Sequence, residues 1–373
     1  MEKGETMRLG GELSSYLDCL RFLAATAVLF AHMQQDGLYM EWLPLARFSH
    51  EAVIVFFVMS GLIICSTTFA SHRDLRTYAI ARLSRVYSVA LPAVVFCLLM
   101  TAFVPAGVLK PGELTNYHPV TAWSVVSSLL FLNESWLNPA DLTLNGPYWS
   151  LCYEVWYYVA FGAFMFLEGK KRWIVLAGTC LIMGPSVLAL FPIWLAGAWV
   201  ASGRRFGSDS WSTGKATWIF IASFVVILAI NWSGIDATLK RAFHDHVTGF
   251  WRLESSQRLV TDYLVGLAIL ANLLAFGRLR PGFRRFFGRT VGVFKYLAGF
   301  SFTLYLFHRP MTQLLGYYFP NTDKSIPYSI ALGFGILATC LLISYGTERQ
   351  LKFWRDRLAR LLPGASPEAR RLG

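Results

Sequence analysis

The sequence predicts an all-α membrane protein, a polytopic helical bundle of about ten transmembrane helices with both termini in the cytoplasm. The chain has 373 residues, of which 55% are hydrophobic and only 15% charged, and its mean hydropathy is +0.46. These values are typical of membrane proteins with many spans. Apolar runs recur along the chain, and most of the 34 Lys and Arg residues lie in the short segments that we assign to the inner side.

Runs of roughly 17 to 25 apolar residues define the predicted spans. They cover residues 20–40, 51–70, 88–104, 148–167, 173–190, 191–203, 215–232, 259–276, 292–318 and 326–346. The sixth is short and begins near Pro192, so spans five and six are also compatible with a tight helical hairpin. Residues 121–136 are apolar, but counting them as a span would place Lys170 and Lys171 outside. We therefore interpret them as a half-inserted or surface-lying helix within a long outer loop, 105–147.

One membrane domain is expected over 1–373, with a transmembrane core at 14–346 and a basic cytoplasmic tail at 347–373. Lys352 and Arg355 belong to an amphipathic pattern in that tail, which indicates a helix on anionic lipid. The formal charge of +12 follows from the inner loops, so we do not expect nucleic-acid binding. The six cysteines lie in apolar runs without metal-ligand spacing, so we expect neither a disulfide framework nor a metal site.

Arg21 and His32 are the first chemically informative pair. They lie eleven residues apart, a spacing that returns them to nearly the same helix face, about 16 Å apart along the axis. Asp18 precedes Arg21 by one turn and shares that face. Ionisable side chains that are unpaired in a bilayer cost several kcal/mol, so they are candidates for function. A hydrogen-bonded structural role is the alternative for His32.

Arg82 and Arg85 form a second pair, at the inner entrance to the third predicted span. Two arginines three residues apart on a helix present one cationic face, and guanidinium groups bind phosphate through paired hydrogen bonds. The preference of basic residues for inner helix ends also explains this pair.

Glu154 lies one turn after Ser150 in an aromatic run that begins near Trp149. A carboxylate buried there needs a partner, and we expect His or Arg of the first span to provide it. In the ninth predicted span, Ser301, Tyr305 and His308 share one helical stripe. That stripe faces either a ligand cavity or a neighbouring helix to which it hydrogen-bonds.

These clusters, in this order on about ten predicted spans, resemble the acyltransferase-3 family of integral membrane acyltransferases over roughly residues 14–346. The segments that carry the resemblance are Leu17–Arg21 with His32, Phe56–Gly61, Arg82 with Arg85, Trp149–Tyr158 and Ser301–Pro310. The chain departs from the family pattern at Ala52–Val55 and at Ser88, so no role is transferred to residues 52–54.

The resemblance implies that an acyl group, expected to be acetyl, moves from acyl-coenzyme A to a sugar hydroxyl. The acceptor would belong to an exopolysaccharide, a lipopolysaccharide or a lipid-linked glycan at a bacterial inner membrane. It also implies that His32 is catalytic, that Arg21 is essential beside it, and that Arg82 and Arg85 lie near the coenzyme. We expect Glu154, or another buried group, to orient His32. The residues expected along the substrate path are Asp18, Trp149, Ser150, Ser301, Tyr305 and His308.

Three questions are left open by the sequence. In one mechanism the sugar hydroxyl attacks the thioester directly, and in the other it attacks an acyl-histidine that has formed from the thioester. A transporter or flippase for a lipid-linked sugar is the alternative function, since the same buried charges would line its pathway. Membrane lipids are expected partners, and a homo-oligomer is left open.

Overall fold

A computed structural model of the chain describes residues 11–71, 74–104, 119–135, 142–202, 210–243 and 253–362. Within these ranges the chain forms helices and turns, and no strand occurs there. The α-helices are α1 (Gly11–Gln35), α2 (Ser49–Ser71), α3 (Leu75–Met100), α4 (Ala122–Leu129), α5 (Trp149–Phe166), α6 (Gly169–Ala201), α7 (Thr213–Ser233), α8 (Ile235–Phe243), α9 (Leu259–Ala298), α10 (Ser301–Tyr318), α11 (Ile326–Ser344) and α12 (Leu351–Leu361).

Seven helical segments of the described chain are long and apolar enough to cross a membrane. They are Gly11–Gln35, Pro44–Ser71, Leu75–Phe103, Gly169–Ala201, Thr213–Ser233, Leu259–Ala298 and Ile326–Leu361. Helices α5 and α10 have 18 residues each and carry most of the polar groups discussed below. The all-helical class is therefore confirmed, while the count of ten crossings and the orientation of the termini stay predictions.

Helix α6 contains both the fifth and the sixth predicted span and breaks at Gly184. This glycine has a φ of +69°, in the left-handed region that glycine adopts without steric cost. Contacts along α5 show that the direction of α6 reverses there. Before the break, the contact point on α5 moves back from Phe164, which lies under Arg172, to Tyr153, whose hydroxyl lies 2.6 Å from that of Ser186. After the break it moves forward again, to Phe161, which packs against Trp194. The arrangement is that of a tight hairpin, with its turn about six residues before the predicted boundary.

Two other predicted boundaries are wrong. The first span was expected at 20–40, but α1 covers Gly11–Gln35. The ninth, expected at 292–318, is divided between α9 and α10. The ring centroid of Phe276 lies 5.5 Å from that of Phe283 and 5.6 Å from that of Phe287. Because eleven residues of straight helix rise about 16 Å, α9 bends sharply in the basic stretch after Phe276, which contains Pro281.

Helices α1 and α10 run side by side in the same direction. Their contacts, in order, join Phe22 to Phe300, His32 to His308, and the Asp36 backbone to Gly316. We call the end of the bundle at which α10 begins the inner end. Arg21, next to Phe22, lies at this inner end. His32 lies opposite His308, roughly 10 Å further along α10 than Ser301 by the helical rise.

Helices α2 and α6 approach each other most closely at two glycines. A Cβ atom on Gly61 would lie 2.0 Å from the carbonyl oxygen of Trp194, and one on Gly197 would lie 2.1 Å from that of Val58. Small residues allow helix backbones in membranes to approach in this way. The contact brings the Trp194 indole Nε1 within 3.1 Å of the Ser60 Oγ, and so fixes one wall of the site.

The remaining expectations fall partly on described residues. The surface-lying helix predicted at 121–136 is represented by the short α4, which begins after a capping box formed by Thr121 and Ser124. Much of the predicted outer loop, namely 105–118 and 136–141, lies outside the described residues. In the tail, α12 is the predicted amphipathic helix, and it packs against α3 through Arg76.

Candidate functional site

A cavity of about 760 Å³ opens at the inner end of the bundle. Helices α2, α3, α5, α10 and α12 contribute its walls. On α2 the lining extends from Ser71 to Phe56, which corresponds to a depth of about 22 Å at the helical rise of 1.5 Å per residue. Its volume lies within the usual range for small-molecule sites.

Arginines dominate the charge of this cavity. Among its lining residues are five arginines and two carboxylates, namely Arg21, Arg76, Arg82, Arg85, Arg355, Glu154 and Asp356. The Nε of Arg82 is buried and has no hydrogen-bond partner in the described structure. A buried donor without a partner is costly, so this atom points to an anionic ligand. The surroundings of Arg82 and Arg85 thus agree with the expected phosphate site.

The deeper lining is mainly apolar, although it also contains Glu154, whose carboxylate accepts hydrogen bonds from the Ser60 and Tyr158 hydroxyls. Phe56, Ile63, Ile64 and Leu151 contribute to it. A ligand that fits the whole cavity would therefore be anionic at the mouth and uncharged further inside.

Arg21 contributes to the cavity, but it does not lie beside His32. Its nearest carboxylate is Asp18, with Arg21 Nη1 3.7 Å from Asp18 Oδ1, and Asp18 is not a lining residue among those described. Arg21 and His32 share a face, yet their separation along α1 is about 16 Å. Arg21 therefore does not contact His32, and its essential role stays a prediction.

Glu154 has partners that the sequence analysis did not anticipate. The Ser60 hydroxyl donates to Glu154 Oε1 at 2.6 Å, and the Tyr158 hydroxyl donates to the same oxygen. No hydrogen bond joins Glu154 to His32 within the described residues. The hydrogen bonds of Glu154 thus come from hydroxyl groups of α2 and α5, while Arg21 of the first span interacts with its carboxylate electrostatically. A direct catalytic role for Glu154 stays a prediction.

His32 and His308 form a hydrogen-bonded pair. The His32 Nδ1 and His308 Nε2 lie 2.8 Å apart, and the His308 Nδ1 lies 2.8 Å from the Leu304 carbonyl oxygen. A carbonyl only accepts, so the His308 Nδ1 carries the proton and, in the neutral ring, its Nε2 accepts. The proton between the rings then belongs to His32 Nδ1. This assignment leaves the Nε2 of His32 unprotonated, with a lone pair available as a base or nucleophile.

Tyr305 separates the cavity from this histidine pair. Its hydroxyl lies 2.7 Å from the Ser150 Oγ and donates to the Pro147 carbonyl oxygen at 3.1 Å. The Phe56 ring packs edge-on against the Tyr305 ring at 5.6 Å. Tyr305 and Ser150 line the cavity, whereas neither His32 nor His308 does so among the described residues. The cavity therefore ends one helical turn of α10 before His308.

The remaining members of the predicted substrate path divide in the same way. Ser301 lines the cavity, and its hydroxyl donates to the Ala298 carbonyl oxygen at 2.8 Å. Trp149 lies outside the cavity lining of the described chain. Its ring instead contacts His50 and Tyr153, with centroids 6.4 and 4.9 Å apart.

A buried ionic cluster at the outer ends of α2 and α9 escaped the sequence analysis. Arg258 pairs with Glu51 at 2.9 Å and with Asp236 at 2.8 Å, and His50 lies 2.8 Å from Asp262. Burial acts to lower the pKa of Arg258, but the carboxylates of Glu51 and Asp236 outweigh it and raise that pKa. Acidic residues at the edges of apolar runs were the available signal, since such groups need partners in a membrane.

Comparison with known proteins assigns the chain to a family. No curated protein and no solved structure matches the chain. The model of the family described as acyltransferase domain matches residues 14–345, which include α1 to α11 but not α12. Because this match covers most of the chain, the protein belongs to the acyltransferase-3 family of membrane acyltransferases.

Proposed function

We propose that the protein transfers an acyl group, acetyl in the expected case, from acyl-coenzyme A to a hydroxyl of a sugar. The acceptor would be part of an exopolysaccharide, a lipopolysaccharide or a lipid-linked glycan of a bacterial inner membrane. The observation that carries this proposal is the His32–His308 pair, whose hydrogen bonds leave a basic nitrogen close to the end of a cationic cavity.

The cavity suits the donor in both shape and charge. Coenzyme A has its phosphate groups at one end and its thiol at the end of a long uncharged arm. Arg82 and Arg85 would bind phosphate near the mouth, because guanidinium groups pair with phosphate oxygens. The apolar depth between Ile63 and Phe56 would hold the arm. In this placement the thioester approaches Tyr305.

Access from the cavity to His32 then requires a movement of Tyr305. Its ring occupies the end of the cavity, and its hydroxyl is bonded to Ser150. Turning this ring aside breaks the hydrogen bonds of its hydroxyl to Ser150 and to the Pro147 carbonyl oxygen, and it opens the single helical turn that separates the thioester from the histidine pair. Until that movement, the acyl donor and the base remain apart.

The chemistry follows from the proton positions. In direct transfer, His32 Nε2 takes the proton of the sugar hydroxyl while the sugar oxygen attacks the thioester carbonyl carbon. The carbon–sulfur bond breaks, and the leaving thiolate takes the proton from His32. Throughout, His308 Nε2 accepts a hydrogen bond from the Nδ1–H of His32 and so stabilises the imidazolium. In the other route, Nε2 attacks the thioester carbonyl carbon, the carbon–sulfur bond breaks, and the coenzyme leaves as a thiolate. The sugar oxygen then attacks the acyl group, the bond to Nε2 breaks, and the proton of the sugar hydroxyl passes to Nε2 and on to the thiolate.

Replacing His32 by Ala tests the proposal. We expect the variant to insert and purify like the wild type but to lose release of coenzyme thiol from acetyl-coenzyme A and to lose acetyl groups on the cell-surface glycan. Comparing glycans from cells with and without the gene identifies the acceptor. Unchanged acetyl content in the His32→Ala cells refutes the catalytic role, and sugar movement without acetyl transfer would support a flippase instead.

The donor site has its own test. Replacing Arg82 and Arg85 together by Ala should raise the KM for acetyl-coenzyme A by tenfold or more, because each charge-assisted contact contributes about 1.5 to 3 kcal/mol. Equal KM values before and after the substitution would remove phosphate binding from these two residues.

A further inference from the structure

We propose that α12 forms the wall of the donor cavity at its mouth and that Arg355 binds the 3′-phosphate of the coenzyme ribose. This inference rests on the proposed function, since it assigns a residue to one group of the donor. It gives α12 a binding role in addition to the lipid contact that its amphipathic pattern predicts.

The position of α12 is the first observation. Leu351, Arg355, Asp356 and Ala359 lie one or two turns apart on one side of α12, and all four line the cavity. Helix α12 is therefore turned with this side towards the mouth.

Arg76 holds α12 in this position. Its Nε donates to the Leu362 carbonyl oxygen at 2.6 Å and its Nη2 to the Ala359 carbonyl oxygen at 2.8 Å. These carbonyls lie at the C-terminal end of α12, where a helix leaves acceptors unpaired and favours a cation. Since two of its donor groups are engaged, Arg76 acts mainly as a cap that ties α12 to α3.

Arg355 is the cation at the mouth that remains available. Its side chain lines the cavity, is exposed, and has neither a hydrogen-bond nor an ion-pair partner in the part of the chain that the structure describes. Asp356 next to it also lines the cavity. Because both side chains are exposed, the repulsion of a phosphate by Asp356 is screened by solvent.

The order of the cations matches the order of phosphates in the donor. Arg82 and Arg85 follow Arg76 on α3 by about 9 and 13 Å along the helix, and so lie deeper than the contact with α12. In coenzyme A the diphosphate is attached to the pantetheine arm, while the 3′-phosphate lies on the far side of the ribose. A donor whose arm points inward therefore places its diphosphate near the α3 pair and its 3′-phosphate at Arg355.

Other cations of α12 provide a control. Arg357 lies over the Phe353 ring, 5.1 Å from its centroid, and is not part of the described cavity lining. Arg355 and Arg357 carry the same charge on the same helix, so a general effect on lipid binding would appear with either one. Only Arg355 should affect recognition of the coenzyme.

The experiment compares acetyl-coenzyme A with its 3′-dephospho form, using the full-length protein in nanodiscs. For the wild type we expect a KM for the dephospho form about two- to fivefold higher, as for the loss of one ion pair at an exposed position. Arg355→Gln should bring the two KM values together, by raising that for acetyl-coenzyme A alone, whereas Arg357→Gln should leave their ratio unchanged.

Several outcomes would overturn the inference. An unchanged ratio in Arg355→Gln removes the assignment, as does an equal loss in Arg357→Gln. Nanodiscs of zwitterionic and of anionic lipid separate the two sources of phosphate: an effect of Arg355→Gln that appears only with anionic lipid assigns the residue to lipid headgroups. If the wild type uses neither form of the donor, the proposed function itself fails, which is a different result from an unchanged ratio.

Discussion

Replacing His308 by Phe tests the histidine pair most directly. The substitution keeps an aromatic ring at a buried position of α10 but removes the nitrogen that lies 2.8 Å from His32 Nδ1. The Nδ1 proton then lacks its acceptor, and the ring of His32 is free to adopt the other tautomer, which places the proton on Nε2. In that tautomer the nitrogen that faces the reaction is no longer a base.

The expected loss follows from the hydrogen bond that disappears. When His32 becomes an imidazolium in the transition state, its bond to His308 is charge-assisted and contributes about 1.5 to 3 kcal/mol. At 1.36 kcal/mol for each factor of ten, kcat should fall by roughly 10- to 150-fold. The KM for the donor should stay within about twofold, because His308 is outside the described cavity lining.

The measurement is the rate of thiol release from saturating acetyl-coenzyme A by purified protein, with His308→Gln as the matched control. The Gln side chain offers an oxygen that accepts the His32 proton, so this variant should recover part of kcat. If His308→Phe keeps the wild-type kcat while His32→Ala is inactive, His308 does not position the base. A rise in KM without a fall in kcat would place His308 in donor binding instead.

Three further predictions concern the scaffold and are measured by thermal unfolding of the purified protein in one detergent. Gly61→Ala should lower the stability by about 1 to 3 kcal/mol, since the new Cβ would lie 2.0 Å from a carbonyl oxygen of α6. Gly178→Ala is the control and should not lower the stability, because its new Cβ would have no atom within 4 Å. Equal Tm values for the two variants would contradict this packing. Arg258→Ala should cost about 1 to 3 kcal/mol because the buried Glu51 loses its half-buried ion-pair partner. A Tm within 1 °C of the wild type would show that the ion pair does not stabilise the fold. Asp74→Ala removes the N-cap of α3 and should cost about 1 kcal/mol of stability. The Asp74 carboxylate accepts a hydrogen bond from the Thr77 backbone N–H, which lowers the pKa of Asp74, so the stability difference between wild type and variant should be complete above about pH 4 and fade at lower pH. A stability difference that grows on acidification would refute this prediction.

The candidate residues of the site could be chosen from the sequence because ionisable groups are conspicuous in a membrane chain. Arg21, His32 and Glu154 interrupt runs of apolar residues, and an ionisable group in such a run needs a physical reason. The pairing of Arg82 with Arg85 followed from helical spacing alone. All of these statements depend on one helix at a time, and helical periodicity determines them well.

The partners of these residues could not be identified in the same way. Whether Glu154 meets His32 or Ser60 depends on how α5 is rotated against α1 and α2, and the close contact at Gly61 sets the position of α2 against α6. Rotation by one third of a turn would present another residue of α5 to the same neighbour. A sequence records which side chains share a face of a helix, but packing between helices decides which faces meet.

The same limit explains why the depth of the site was only partly predicted. The separation of Arg21 and His32 follows from the helical rise of α1 alone, but their neighbours differ. Arg21 lines the cavity, while His32 meets His308 beyond Tyr305. The base is thus separated by one side chain from the cavity in which the donor would bind. If the proposed function holds, this separation protects the thioester, because water that enters the cavity does not reach His32 until Tyr305 turns aside. Transfer rather than hydrolysis would then depend on how Tyr305 moves, not on the reactivity of the histidine.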